Sequence, residues 1–153
     1  MKILINKFLF LMIAFNSLSA NAENYITADW CSANFGDKQE GHVLKQACSD
    51  LAFSKKVIST KQDVESFNLA TQTVVSNIKS LKRSFIMQSA LTKHVGEKTV
   101  ELINGYVDFL EYLSEAYGQM SLNSLSNGSL ELSSELLSTH SFLSTQAQEL
   151  KIP

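Results

Sequence analysis

The chain has 153 residues, with 13 basic and 15 acidic side chains and a formal charge of −2. With no basic excess to release phosphate counterions, the composition argues against a nucleic-acid binder and against electrostatic docking on anionic lipid. Its only proline is Pro153, at the very end, so nothing in the body of the chain forces a helix to break.

The first stretch sets the compartment. Met1 to Lys7 is short and basic, Phe8 to Phe15 is an unbroken apolar run, and Ala20-Asn21-Ala22 supplies a small-x-small pattern. Together these read as a signal peptide, Met1 to Ala22, cut before Glu23. The apolar run is far shorter than the ~20 residues that cross a bilayer. No cysteine follows the cut to carry a lipid, and no later segment is long and apolar enough to span. The expectation is an exported chain, periplasmic or secreted, without a stable membrane anchor. Without Lys2 and Lys7, 11 basic residues face 15 acidic ones, a charge of −4. The remainder, Glu23 to Pro153, is the size of one helical domain and large enough to bury a core of its own.

Cys31 and Cys48 are the only cysteines and enclose His42. In an oxidising compartment two cysteines pair, and closing a 17-residue loop contributes about 3 kcal/mol by the chain-entropy argument. A redox centre wants Cys-x-x-Cys, which is absent. A structural zinc site wants four ligands, and these residues offer three at most. The pair therefore reads as a structural disulfide, clamping an irregular arm from Tyr25 to Gly41, with Trp30 and Phe35, over a helical bundle.

Four helices follow in order. The first runs from about Glu40 to Ile58, with Leu44, Cys48 and Leu51 on one stripe. After a turn at 59–63, where Thr60 or Asp63 can cap, the second carries Val64, Phe67, Val74, Ile78, Leu81 and Phe85. Lys93-His94-Val95-Gly96 reads as its end, with the glycine free to take a left-handed cap. The third, Glu97 to Met120, is the most amphipathic, through Leu102/Ile103, Tyr106, Phe109/Leu110, Leu113 and Tyr117. Ser121 to Ser129 reads as a polar connection turning at Asn127-Gly128, a better account of that sequon than a glycan. The last helix, Leu130 to Leu150, has its stripe at Leu132, Leu136/Leu137, Leu143 and Ala147. The fold expected is all-α, a small antiparallel bundle of three to four helices with a disulfide-clamped N-terminal arm.

Chemistry-bearing patterns are sparse. His42, His94 and His140 fall on separate segments, so no helical face carries a paired metal-ligand motif. Covalent haem wants Cys-x-x-Cys-His, which is absent, and Met87 or Met120 with His140 reads better as core filling than as axial ligation. No Gly-x-Ser-x-Gly elbow occurs, and Glu111/Glu115 lie together on a solvated face. No catalytic residue, metal or cofactor is expected. Tyr112, off the main stripe of its helix, and the clamped aromatics Trp30 and Phe35 are the candidate contacts for a protein partner. The reading that follows is an exported, non-enzymatic protein-binding domain, of the immunity or inhibitor type acting on a toxin or hydrolase. The alternatives are an accessory subunit of a secretion, conjugation or pilus apparatus, and a helical-bundle ligand carrier or enzyme.

Overall fold

A computed structural model describes residues 26–36, 39–92 and 95–152. The expected signal peptide, Tyr25, Lys93 and His94 lie outside the described residues. These residues form helices and no strand: α1 (Ala28–Asn34), α2 (Gln39–Thr60), α3 (Val64–Thr92), α4 (Glu97–Ser126) and α5 (Leu130–Leu150).

Among the described residues there are five helices rather than three or four, because the arm is not irregular throughout. Thr27 is extended and its hydroxyl accepts the Trp30 amide at 3.2 Å, which starts a two-turn helix. That helix ends at Phe35, whose amide returns to the Cys31 carbonyl at 3.0 Å. Seven residues are too few to hold a helix in water by themselves; the cross-link and the packing of α1 on α2 supply the rest.

At the next two junctions the sequence expectations meet the structure unevenly. Asp63 caps α3, accepting the Ser66 amide at 2.8 Å, while Thr60 turns back to the Lys56 carbonyl inside α2. Gly96 is not a left-handed end of α3. Its φ of −58° and ψ of 139° make it the extended residue from which α4 starts.

The largest difference is at residues 121–126, expected as connection and found as the last turns of α4. Ser121 is buried, its hydroxyl donating to the Ser133 carbonyl at 2.7 Å. Serine here closes a helix seam instead of solvating a loop. The helix stops where the turn was expected: Gly128 has φ of 79°, and the Gly128 and Ser129 amides return to Leu125 and Ser124 in a Schellman arrangement.

The predicted stripes of α2 and α4 are buried throughout. On α3 the buried run is Phe67, Val74, Ile78 and Leu81; Val64 at its start is exposed and Phe85 is half-buried. On α5 the expected stripe holds at Leu136, Leu143 and Ala147 and is corrected at Leu132 and Leu137. Leu132 and Leu137 are exposed, and the inward positions are Ser133, Leu136, His140, Leu143, Ala147 and Leu150, in alternating three- and four-residue steps. Its first half thus turns polar atoms toward α4.

The helices form two antiparallel hairpins, α2–α3 and α4–α5. Tyr106 on α4 donates to the Ala47 carbonyl of α2 at 2.6 Å, and the Tyr117 hydroxyl donates to Asn68 of α3 at 2.7 Å. Lys82 of α3 pairs with Glu149 of α5. Around these bonds sits one apolar core in which each fully buried leucine or phenylalanine contributes about 1.5–3 kcal/mol. Gly105 on α4 lets Ile26 of the arm lie against the helix backbone, where a Cβ would collide with the Ile26 Cδ1.

Candidate functional site

The clamped arm is built first. Cys31 and Cys48 are joined, their Cα atoms 5.6 Å apart, and neither has any exposed surface. Such a bond belongs to an oxidising compartment, and no helix among the described residues is long and apolar enough to cross a membrane. The bond presses α1 onto α2, so that Ile26 and Phe35 are buried. Trp30 is half-buried, edge-on to Phe35 with ring centres 5.8 Å apart, and the Lys98 ammonium lies 5.8 Å from its ring centre. The arm therefore closes one side of the core and leaves an edge of Trp30 at the surface.

Tyr112 is half-buried as well. It stacks on Phe109 and Phe67 with ring centres 6.1 and 6.4 Å away, and burial pushes its hydroxyl pKa upward. Tyr112 thus stands apart from the arm, in an aromatic row that joins α3 to α4.

One serine and one histidine meet. The His140 Nδ1 lies 2.8 Å from the Ser114 carbonyl and 3.0 Å from its hydroxyl, which donates in turn to the His140 carbonyl at 3.0 Å. A carbonyl only accepts, so Nδ1 carries the hydrogen. Nδ1 is then no base for the serine, and the hydroxyl proton is committed to backbone. The pair is a clasp between α4 and α5, with Gly118 giving it room: a Cβ there would stand 3.2 Å from Nδ1.

The remaining groups with chemical potential are dispersed. Ser76 and Lys79 do stand in Ser-x-x-Lys order, but the Ser76 hydroxyl donates to the Thr73 carbonyl at 2.7 Å and Lys79 is on the exposed side of α3. Lys55 has its pKa lowered by burial, an effect that Asp108 opposes. Met120 is in the core and Met87 on the outside. His42 is exposed, and the described residues include no group of three or more His, Cys, Asp or Glu placed to hold a metal ion.

What the surface does carry is segregated charge beside uncovered apolar side chains. Between Ser66 and Gly96 the sequence has lysines and an arginine and no carboxylate; between Thr99 and Leu150 it has seven carboxylates and no lysine or arginine. The α2–α3 hairpin is therefore the basic one and α4–α5 the acidic one. On the outer side of α3, Lys79, Arg83, Ile86 and Met87 are all exposed, Ile86 at 65% and Met87 at 48%. On the outer side of α5, Glu131, Glu135 and Phe142 share a face, Phe142 at 47%. The sequence held this signal, since the charge blocks are legible without any structure; the periodicity of leucines drew the reading to the helices' inner sides instead.

No protein-family model matches this sequence, nor does any curated protein or solved structure.

Proposed function

We propose that the protein is an exported, non-enzymatic domain that works by stoichiometric binding of another protein in the periplasm or outside the cell, most concretely as an immunity or inhibitor partner of a toxin or hydrolase. The observation that supports this is apolar surface left uncovered on stretches without charge. Residues 86–92 carry no ionisable side chain and expose Ile86, Met87 and Leu91; residues 118–130 carry none and expose Leu122, Leu125 and Leu130. Single surface leucines are ordinary, whereas charge-free runs of them are surfaces that partners cover. The disulfide supports export, and the partly exposed Trp30 is rigidified by it, which lowers the entropy lost on binding.

The test is capture by the immobilised, oxidised protein from periplasmic and secreted fractions, followed by titration with the captured protein. Saturable binding at a fixed ratio is expected, and its absence under native conditions overturns the reading. The accessory-subunit alternative has one observation in its favour: two outer faces of opposite charge on a single small domain.

A further inference from the structure

The two outer faces match each other better than either matches the rest of the molecule. Lys79 and Arg83 are four residues apart on α3, and Glu131 and Glu135 are four apart on α5; all four are exposed, and none makes an ion pair among the described residues. Like charges at this spacing repel along a helix, so each pair is mildly unfavourable until the opposite sign faces it. Both pairs are about 6 Å long, so two carboxylates on one helix can stand opposite two cations on another. Beyond the cations the face continues as Ile86 and Met87; beyond the carboxylates it continues as Phe142. Within one chain α3 and α5 already meet through Lys82 and Glu149.

We propose that the basic outer face of α3 in one copy of this chain docks on the acidic outer face of α5 in a second copy. The contact joins unlike faces, so each copy keeps one of each sign and growth is head to tail. Its size sets its strength. The 21 residues of α5 make a face about 30 Å long and about 10 Å wide, roughly 300 Å². A stable interface buries ~800 Å² per partner, so this association is weak, concentration-dependent and salt-sensitive. It is separate from the capture of a different protein, and the two are read by different measurements.

Sedimentation velocity on the oxidised protein is the test. At low salt the weight-average sedimentation coefficient rises with concentration; at high salt it returns to the monomer value. The double variants Glu131→Lys/Glu135→Lys and Lys79→Glu/Arg83→Glu each weaken association about tenfold or more while keeping wild-type circular dichroism. Mixing the two variants restores it, because the reversed faces now match. A monomer at every concentration in low salt overturns the proposal, as does association that survives both reversals or that no mixture restores. A strict monomer that still captures a periplasmic protein defeats this contact and leaves the protein-binding reading standing.

Discussion

The α2–α3 hairpin closes on Leu51, Ala70, Val74, Ile78 and Leu81, all buried, and the disulfide fastens α1 onto α2. Over its distal half the α4–α5 hairpin closes instead on Ser114, Gly118 and Ser121 against Ser133 and His140, through hydrogen bonds of 2.7–3.0 Å. The first seam is stabilised by area removed from water, which is large and indifferent to orientation. The second gains less per contact, since an internal hydrogen bond replaces one to water. It fixes register instead, because a serine shifted by one residue would leave its own hydroxyl without a partner. The α2–α3 seam supplies stability and the distal α4–α5 seam supplies definition.

The sharpest way to break this contrast is to compare one leucine with one serine. Leu81→Ala should cost about 3 kcal/mol in urea unfolding, from lost transfer energy and a residual cavity. If Ser121→Ala costs as much, the assignment of roles is wrong. Removing the cross-link with Cys31→Ala/Cys48→Ala comes next, at about 2–3 kcal/mol for a loop of 17 residues. Hydrogen exchange should then quicken in α1 and the start of α2 and stay slow across the α4–α5 seam. Ser121→Ala itself should cost about 1–2 kcal/mol, since the Ser133 hydroxyl loses its partner in a buried place.

A pH measurement sharpens the comparison where the hairpins meet. Burial, then the charge of Asp50, pushes the Tyr106 hydroxyl far above the ordinary tyrosine range, and its proton is given to the Ala47 carbonyl. The folded form therefore favours the neutral phenol. The stability this confers is fully present below the unfolded pKa of about 10 and is lost as pH climbs beyond it toward the folded value. Alkaline unfolding followed by circular dichroism should begin above about pH 10 and move upward in Tyr106→Phe, which costs about 1 kcal/mol at neutral pH. The smallest effect has the opposite sign. The Ser54 hydroxyl on α2 is buried without a hydrogen-bond partner, so Ser54→Ala should be neutral or raise stability by up to about 1 kcal/mol.

The long helices and the cross-link were legible because each rests on a local signal: apolar residues every three or four positions, a glycine turn, and two cysteines behind a stretch that reads as a signal peptide. What was not legible depends on partners distant in sequence. Ser121 reads as loop until Ser133 is known to face it, and nothing local marks Ser114 as the partner of His140. Leucine is the stronger hydrophobe, so Leu132 and Leu137 enter the expected stripe of α5 beside Leu136, Leu143 and Ala147, while the inward positions of its first half go to Ser133, Leu136 and His140. The helix α1 was missed because seven residues carry too little periodicity to declare themselves. Of the candidate contacts, Trp30 and Phe35 do lie together on the clamped arm, and Tyr112 stands apart between α3 and α4.

The complete enclosure of both sulfur atoms has a consequence for how the molecule is made. An oxidoreductase acts by forming a mixed disulfide, and it cannot reach sulfurs that have no surface. The bond must be laid down while the arm is still away from the helices, before the chain matures. Once the arm has closed, reductants meet a shut door, and thiol status becomes a record of where the polypeptide folded.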